Sequence, residues 1–449
     1  LKSQSPVKKQ KPPREIALKI LAQWQGGQSG TLDELLDPAL ESARQPGNPA
    51  WWPGWLQEVC SGVVRWRGRL DGVIDDLALT KKPTGNIRRY LWIGIYQLLV
   101  MSAPVGAVVD ETVETVKKLE GLPQSRFVNA LLRKVASHLE DYRSWPEPSA
   151  SLSKEGSQAL EAEARWASVP VWWWKRLVRA YGREFAKAFC VAGLERPTLW
   201  VRECPGTTLK IEGGATGPIP GSFAISEGVR VGSLPGIAEG KILVQDLSSQ
   251  CLVAEVSKVL ASRGTRVSPL KASTTSQGPL SGFQVLDLCA APGGKSVGLS
   301  WNGAEVTATD ASLMRLQRLR ENTERLAPQI KVLAREEISN TQKFDLIWVD
   351  APCTGNGILR RHPDVRWSKT EADLEALLKI QGQLLREAAD FVKPDGLLMY
   401  SVCSLLFEEG QEQAEHFCKQ NKWKMIEKWT LGPHLQGGDG FFGALLERA

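Results

Sequence analysis

Three stretches of this 449-residue chain carry residue types and spacings that could do chemistry. In the first, Gln284-Val-Leu-Asp-Leu-Cys-Ala-Ala-Pro-Gly-Gly-Lys-Ser296, an apolar run holding Asp287 enters a tight glycine-rich turn and then a helical pattern. Strand, turn and helix in that order make a nucleotide crevice at the carboxyl edge of a doubly wound sheet. Gly293 and Gly294 let backbone approach a ligand closely. The turn is neither Gly-x-Gly-x-x-Gly nor a Walker A loop, which argues against NAD and ATP. Asp310 ends the next apolar run, 23 residues after Asp287. A carboxylate there suits ribose hydroxyls, so the pair points to an adenosine-containing cofactor. Taken alone, Asp310 would read as the N-cap of a helix starting at Ala311.

In the second stretch, Phe344-Asp-Leu-Ile-Trp-Val-Asp-Ala-Pro-Cys-Thr-Gly-Asn-Gly357, a strand delivers Asp350, Pro352 and Cys353 to the same edge. The third, Leu398-Met-Tyr-Ser-Val-Cys-Ser404, delivers Cys403. A lone buried cysteine is usually a small hydrophobe. Two cysteines, each just beyond an apolar strand at the functional edge, point to chemistry. Cys289 lies within the cofactor turn and reads as pocket lining, whereas Cys60, Cys190, Cys204, Cys251 and Cys418 default to packing. Arg360-Arg-His-Pro-Asp-Val-Arg-Trp367 follows Cys353. Arg360, Arg361 and Arg366 suit a phosphate backbone, with His362 a polar contact rather than a base. No Cys-x-x-Cys pair occurs and the four histidines are scattered, so no metal is expected.

The elements that must position these residues follow from the patterning. Residues 1–14 read as a basic flexible tail. Residues 15–145 are helical in pattern, with Leu91 to Val100 apolar nearly all round and therefore a buried central helix. Residues 146–168 read as a linker. Residues 169–240 read as a small α+β module with strands at Thr198–Glu203, Leu209–Glu212 and Val229–Leu234. Its Trp172, Trp173 and Trp174 could stack on bases, although core packing suits most of them. From 241 to 449 strands alternate with helices, which predicts a doubly wound, mostly parallel sheet, interrupted by an insertion loop at 261–282.

The net charge of +6 is uneven. Residues 1–145 hold 20 Lys and Arg against 15 Asp and Glu, and the rest of the chain 36 against 35. The excess includes Arg65, Arg67, Arg69, Lys81, Lys82, Arg88 and Arg89, which suit phosphates or, more blandly, a solvated helix face. No apolar run spans a bilayer and no signal peptide is legible, so a reducing cytoplasmic setting is expected.

At the three motifs the sequence resembles the RNA cytosine-C5 methyltransferases that use S-adenosylmethionine. More closely, it resembles the bacterial 16S rRNA methyltransferase B group, the Fmu or Sun family, over nearly its full length. Further segments carry the likeness: Glu58-Val-Cys-Ser-Gly-Val-Val-Arg65, Ile95-Tyr-Gln-Leu-Leu99, Asp110-Glu-Thr-Val-Glu114 and Asn129-Ala-Leu-Leu-Arg133 for a NusB-like helical domain, then Gln245-Asp-Leu-Ser-Ser-Gln250 and Gly438-Asp-Gly-Phe-Phe442. The resemblance implies an all-α NusB-like RNA-binding domain, a small α+β module and a Rossmann-like class I methyltransferase domain. It implies that Cys403 attacks cytosine C6, that Cys353 assists product release, that Asp350 meets the base's polar edge, and that Lys295 orients groups at the transfer site and favours the thiolate. It also implies that Cys289, Ala290, Ala291, Pro292, Gly293, Gly294 and Lys295 hold S-adenosylmethionine, with Asp350 beside it and Asp310 on the ribose. The implied partner is RNA, 16S rRNA in particular; a monomer is expected.

The sequence departs from the family in three places. Val402 stands where the family usually has Thr. Ala334-Arg-Glu-Glu337 replaces an Asp-bearing turn, with Glu336 the candidate for the adenine side. The 261–282 insertion has no assigned role. Alternatives weighed are a DNA cytosine-C5 methyltransferase using Cys353 as nucleophile, the same reaction on another RNA such as tRNA, a non-catalytic RNA-binding factor, and an amino-group methyltransferase. The order of the motifs argues against the first, and Asp-Ala-Pro-Cys against the last.

Overall fold

The computed structural model describes residues 12–25, 30–78, 82–148, 157–263, 278–339 and 341–449. Two compact units emerge, one of residues up to Leu194 together with Leu359–Ser368, the other of Glu195–Ile358 and Lys369–Ala449. Among the described residues no helix is long and apolar enough to cross a membrane.

The first unit is helical: α1 (Pro13–Gln25), α2 (Leu32–Ala43), α3 (Trp52–Leu77), α4 (Gly85–Leu99), α5 (Val105–Glu120), α6 (Leu122–Ala136), α7 (Leu139–Arg143), α8 (Ser157–Trp166), α9 (Val171–Tyr181) and α10 (Arg183–Ala192). Thr31 and Glu34 form a reciprocal capping box that starts α2. Helix α4 is buried on every side from Tyr90 to Leu99, so it lies inside the core rather than on it. Gly62 of α3 makes room for it, because a Cβ there would sit 2.1 Å from the Tyr96 hydroxyl. That hydroxyl donates to Glu58 at 2.6 Å.

Four of the arginines expected to face phosphates are used internally. Arg65 and Arg69 are buried. Arg67 lies over the rings of Trp24, Trp92 and Trp367, and Arg69 over Trp66, Trp145 and Trp166. Arg88 pairs with Asp71 and Asp75. The indole rings attract guanidinium charge that water would otherwise solvate, so Arg65, Arg67, Arg69 and Arg88 form neither a phosphate patch nor a solvated face, whereas Lys82 is exposed and Arg89 partly so. Arg14, expected in the tail, is a buried residue of α1 that donates to Gln97, Thr112 and Glu111; the rest of the expected tail up to Lys11, and Lys81, lie outside the described residues.

The segment Leu359–Ser368 belongs to this helical unit. Arg65 donates to the Arg360 carbonyl at 2.8 Å, Trp367 to that of Val64 at 2.9 Å, and Leu32 N–H to Asp364 at 3.1 Å. Arg366 is fully buried and donates to the carbonyls of Ser168, at 3.1 Å, and Gly193. It has no face left for a phosphate, and Arg360 is nearly as buried. Both expected RNA contacts are therefore withdrawn: a planar guanidinium is used here to satisfy two backbone acceptors. Arg361 and His362 remain partly exposed, with His362 2.9 Å from Asp33.

The expected linker contains α8, while residues 149–156 lie outside the described ones. The expected α+β module divides. Helices α9 and α10 belong to the helical unit and the strands to the second. Trp173 and Trp174 are buried, and Trp172 is partly exposed. The strands β1 (Leu199–Glu203), β2 (Gly214–Thr216), β3 (Ser222–Ile225) and β4 (Ile242–Val244) form an antiparallel sheet in the order β2-β3-β1-β4. Leu209–Glu212 is not a strand, and Val231–Ser233 is a 3-10 turn. Glycine and proline turns end these runs sooner than the apolar pattern suggests.

After α11 (Leu247–Ser262) comes the seven-stranded sheet. Its members are β5 (Gln284–Asp287), β6 (Glu305–Ala308), β7 (Lys331–Val332), β8 (Phe344–Asp350), β9 (Val392–Val402), β10 (Trp423–Leu431) and β11 (Phe441–Arg448), in the order β10-β11-β9-β8-β5-β6-β7. β5 to β9 pair in parallel and β11 runs antiparallel between β9 and β10. Helices α12 (Gly294–Trp301), α13 (Leu313–Leu326), α14 (Val365–Ser368, in the helical unit), α15 (Glu371–Phe391) and α16 (Gln411–Asn421) complete the chain. Two separate apolar clusters, one containing Val285, Trp348 and Met399 and the other Leu286, Ile347 and Tyr400, include alternate residues of the central strands, as a doubly wound sheet covered on both faces requires. The expected mostly parallel α/β fold is borne out. Residues 264–277 of the insertion lie outside the described ones.

Replacing Arg366 by Ala strands the carbonyls of Ser168 and Gly193 and opens a cavity. The expected cost is about 3 kcal/mol in the unfolding transition of the helical unit. A loss under about 0.5 kcal/mol in denaturant melts of the full chain would show that these bonds hold nothing.

Candidate active site

The central strands β9, β8, β5 and β6 end at one edge, where strand order reverses direction between β8 and β5. Ligand crevices open at such a point. Asp287 ends β5 and is buried; its Oδ2 accepts from Ser296 Oγ at 2.6 Å, while Oδ1 has no partner. Burial pushes its pKa up to about 7, against the bond from Ser296, with Asp350 and Asp310 adding repulsion and Lys295 attraction. The turn that follows is tied by Leu288 N–H to Trp348 O and by Ala290 N–H to Thr309 O, both at 2.9 Å. Gly293 ends the turn at φ +107, a conformation a side chain would strain, and a Cβ there would press Leu319 at 3.0 Å. Helix α12 begins at the next residue, and its first N–H groups have no partner within the helix.

Asp310 is buried at the end of β6. Its Oδ2 accepts from Ala291 N–H at 3.3 Å and lies 3.4 Å from Arg315, and its Oδ1 accepts from Ser312 N–H at 3.1 Å. Ser312, not Asp310, caps α13 by accepting from Arg315 N–H. The carboxylate therefore joins the end of one strand to the turn after its neighbour.

Asp350, Cys353 and Cys403 come together beside this turn. Lys295 donates to Asp350 Oδ2 at 2.7 Å, and Ser401 donates to Asp350 Oδ1 at 2.7 Å. Trp348 in turn donates to Ser401 Oγ at 3.0 Å. Burial works against the charge on Lys295, but Asp350, with Asp287 and Cys403 beyond it, holds its pKa above the ordinary value. Its Nζ also lies 5.0 Å from the centre of the Phe441 ring. The sulfurs of Cys353 and Cys403 are 3.4 Å apart. The two loops are joined by Gly357 N–H to Cys403 O at 3.0 Å and by Gly440 N–H to Gly357 O at 2.8 Å. A Cβ on Gly357 would collide with the Gly440 carbonyl at 1.9 Å, which explains the glycine.

The other expected residues fall less centrally. Cys289 is partly exposed in the turn, its thiol pushed up to about 12 by burial and then by Asp287. Glu336 is exposed on the 3-10 turn after β7, two strands from β5. Val402 is buried with no polar atom to offer, and the hydroxyl that acts here belongs to Ser401. Among the described residues no group of His, Cys, Asp and Glu could hold a metal ion. The sequence reading missed Ser401, Gln381 and Glu409. Ser401 could have been found, since it precedes Cys403 by two and so shares its side of the strand. Glu409, in the polar pair Glu408-Glu409, offered no such signal.

A profile of the family described as 16S rRNA methyltransferase RsmB/F matches residues 278–447, and one of the NusB family matches residues 11–137. The ribosomal RNA small subunit methyltransferase B of Cronobacter sakazakii is 32% identical over 421 residues, covering 87% of this chain and 89% of that protein. The chain belongs to the RsmB/F family of 16S rRNA methyltransferases. The protein of the same description from Escherichia fergusonii is 30% identical over 471 residues, covering 98% and 99%. The crystal structure of PH0851 is 21% identical, covers 98% of this chain and 100% of that one, and aligns with a TM-score of 0.67, which shows the shared fold. A methyltransferase homolog protein from Pyrococcus horikoshii, 23% identical, covers 66% of this chain and 100% of its own with a TM-score of 0.51. As an RsmB/F member the chain is an S-adenosylmethionine-dependent rRNA methyltransferase. The side-chain-free cradle at Gly293 and the carboxylate at Asp310 fit such a cofactor.

Asp287 gives a pH signature. The stability carried by its protonated form is fully present below the ordinary value of 3.8 and is lost as pH rises to about 7. The stability of the ligand-free native chain relative to Asp287→Asn should therefore fall by on the order of 4 kcal/mol between those limits and stay level above them. A difference that is flat from pH 4 to 7 in paired denaturant melts would disprove the assignment.

Proposed function

We propose that the chain methylates C5 of a cytosine in 16S rRNA through a covalent bond between Cys403 and C6. The observation that carries this reading is the thiol pair, 3.4 Å apart, beside the Lys295–Asp350 ion pair at the ends of adjacent strands. C5 of cytosine is a poor nucleophile until a thiolate adds at C6 and makes it enamine-like. S-adenosylmethionine supplies, when bound, an electrophilic methyl group on a sulfonium sulfur. Cys289 to Lys295 hold it, with Asp310 on its ribose and Glu336 toward the adenine.

Asp350, fixed by Ser401 on one oxygen and Lys295 on the other, receives the polar edge of the base and supports the charge change at N3. After transfer the C5 proton passes to water, the C5–C6 double bond re-forms, and the C6–S bond breaks with its electron pair returning to Cys403. Cys353 donates its S–H toward that sulfur and so eases its departure. The contacts expected of RNA phosphates narrow to Arg361 and His362. A reducing cytoplasmic compartment suits a reaction that needs both thiols free, as all eight cysteines are.

Methylation of naked and of ribosome-assembled rRNA, with 5-methylcytosine mapped afterwards, tests the substrate; modification of transfer RNA alone would overturn it. Cys403→Ala should lower transfer by about 10³-fold or more. Cys353→Ala should leave a covalent protein–RNA band on denaturing gels. Methylation that survives loss of Cys403 would end the covalent reading.

A further inference from the structure

The two thiols are the same group, in contact, and in the covalent reading they do different work. β8 and β9 stop pairing at Asp350 and Ser401. Beyond that point the two cysteine-bearing segments share a buried carboxylate, Glu409. Its Oε1 accepts from Thr354 N–H at 2.7 Å and from Gln381 Nε2 at 3.2 Å. Its Oε2 accepts from Thr354 Oγ1 at 2.5 Å and from Ser404 Oγ at 2.6 Å. Its backbone carbonyl accepts the Tyr400 hydroxyl at 2.5 Å, and Gln381 also donates to Pro352 O at 2.9 Å. Thr354 is the residue after Cys353, and Ser404 the residue after Cys403. A carboxylate taken out of water survives only where donors replace the water, and four do so here.

The charges around the pair are divided. Lys295, held by Asp350, carries the positive charge, and Cys403 is among the groups that act on it. Glu409 accepts from both the backbone N–H and the hydroxyl of the residue after Cys353, but only from the hydroxyl of the residue after Cys403. The hydrogen bond with Cys403, then burial, then the charges of Cys403 and Glu409 hold the Cys353 thiol well above its ordinary value. Burial raises the pKa of Glu409 itself, while the bonds from Ser404, Thr354 and Gln381 pull it back down.

We propose that Glu409 is a positioning residue that makes the two thiols unequal: bonded to the residue after each cysteine, it fixes the separation of the sulfurs, and its charge keeps the proton on Cys353. Cys353 then serves as a hydrogen-bond donor to Cys403, both before the thiolate adds to the base and when it leaves. The consequence for catalysis rests on the covalent mechanism proposed above, but the inequality of the thiols does not.

The test is alkylation of the full chain by iodoacetamide, read cysteine by cysteine by mass spectrometry. In the native protein Cys403 should react about tenfold faster than Cys353, since the thiolate is the reacting form. In Glu409→Gln, which keeps the shape and removes the charge, the ratio should fall to about threefold or less. Thr354→Val keeps the carboxylate and removes one donor, and should give a ratio between the two. On RNA, Glu409→Gln should lower kcat about tenfold with KM within about twofold. A native ratio near one, or a native ratio retained in folded Glu409→Gln, overturns the proposal. If Glu409→Gln does not fold, Thr354→Val decides, and a native ratio there overturns it. Absence of 5-methylcytosine in every RNA tried would defeat the covalent reading while the alkylation ratio still stood; an unchanged ratio in a chain that methylates cytosine would defeat only the role of Glu409.

Discussion

The parallel pairing of β8 with β9, in the register that sets Asp350 opposite Ser401, is the constraint on which the site depends. A slip of one residue would turn each strand's inward set outward, because side chains alternate with period two. It would part Ser401 from Asp350 and Cys403 from Cys353 in one step. The register is held from both sides: apolar residues of both strands fill the clusters above and below the sheet, so neither face can be exchanged for solvent. Polar bonds then refine what packing has chosen, running from Trp348 through Ser401 and Asp350 to Lys295.

The helical unit uses charge in a different way. Its arginines are set among tryptophans, and 17 tryptophans in the chain make that possible. Arg67 and Arg69 each meet three indole rings. Burial still lowers the pKa of Arg69 to about 10. Positive charge counted along the sequence is therefore a poor guide to positive charge on this surface.

How much was legible follows from the range of the interactions. The sheet and its functional edge could be read because strand, glycine turn and helix are local patterns, and Cys353, Cys403, Asp350 and Lys295 all lie within or just beyond them. Arg366 was misread because nothing near it in sequence reveals that Ser168 and Gly193 need its donors. Glu409 escaped notice for the same reason, since its bonds to Thr354 and Gln381 reach back 55 and 28 residues. The boundaries 146–168 and 169–240 followed composition, whereas the units follow packing, which assigns α8 to α10 to the helices and β1 to β4 to the sheets.

The excursion of Leu359–Ser368 into the helical unit also bears on the order in which the chain can fold. Synthesis runs from the amino end, so ten helices are complete before any of the seven strands exists. Yet the carbonyls of Ser168 and Gly193 and the rings around Arg67 await Arg366 and Trp367, which are made only after β5 to β8. The first unit to be translated thus cannot close as soon as its ten helices are made. Its last side chains arrive only when most of the catalytic sheet has already been made, so the early helices wait, incompletely packed, for a segment encoded nearly two hundred residues downstream of Ser168.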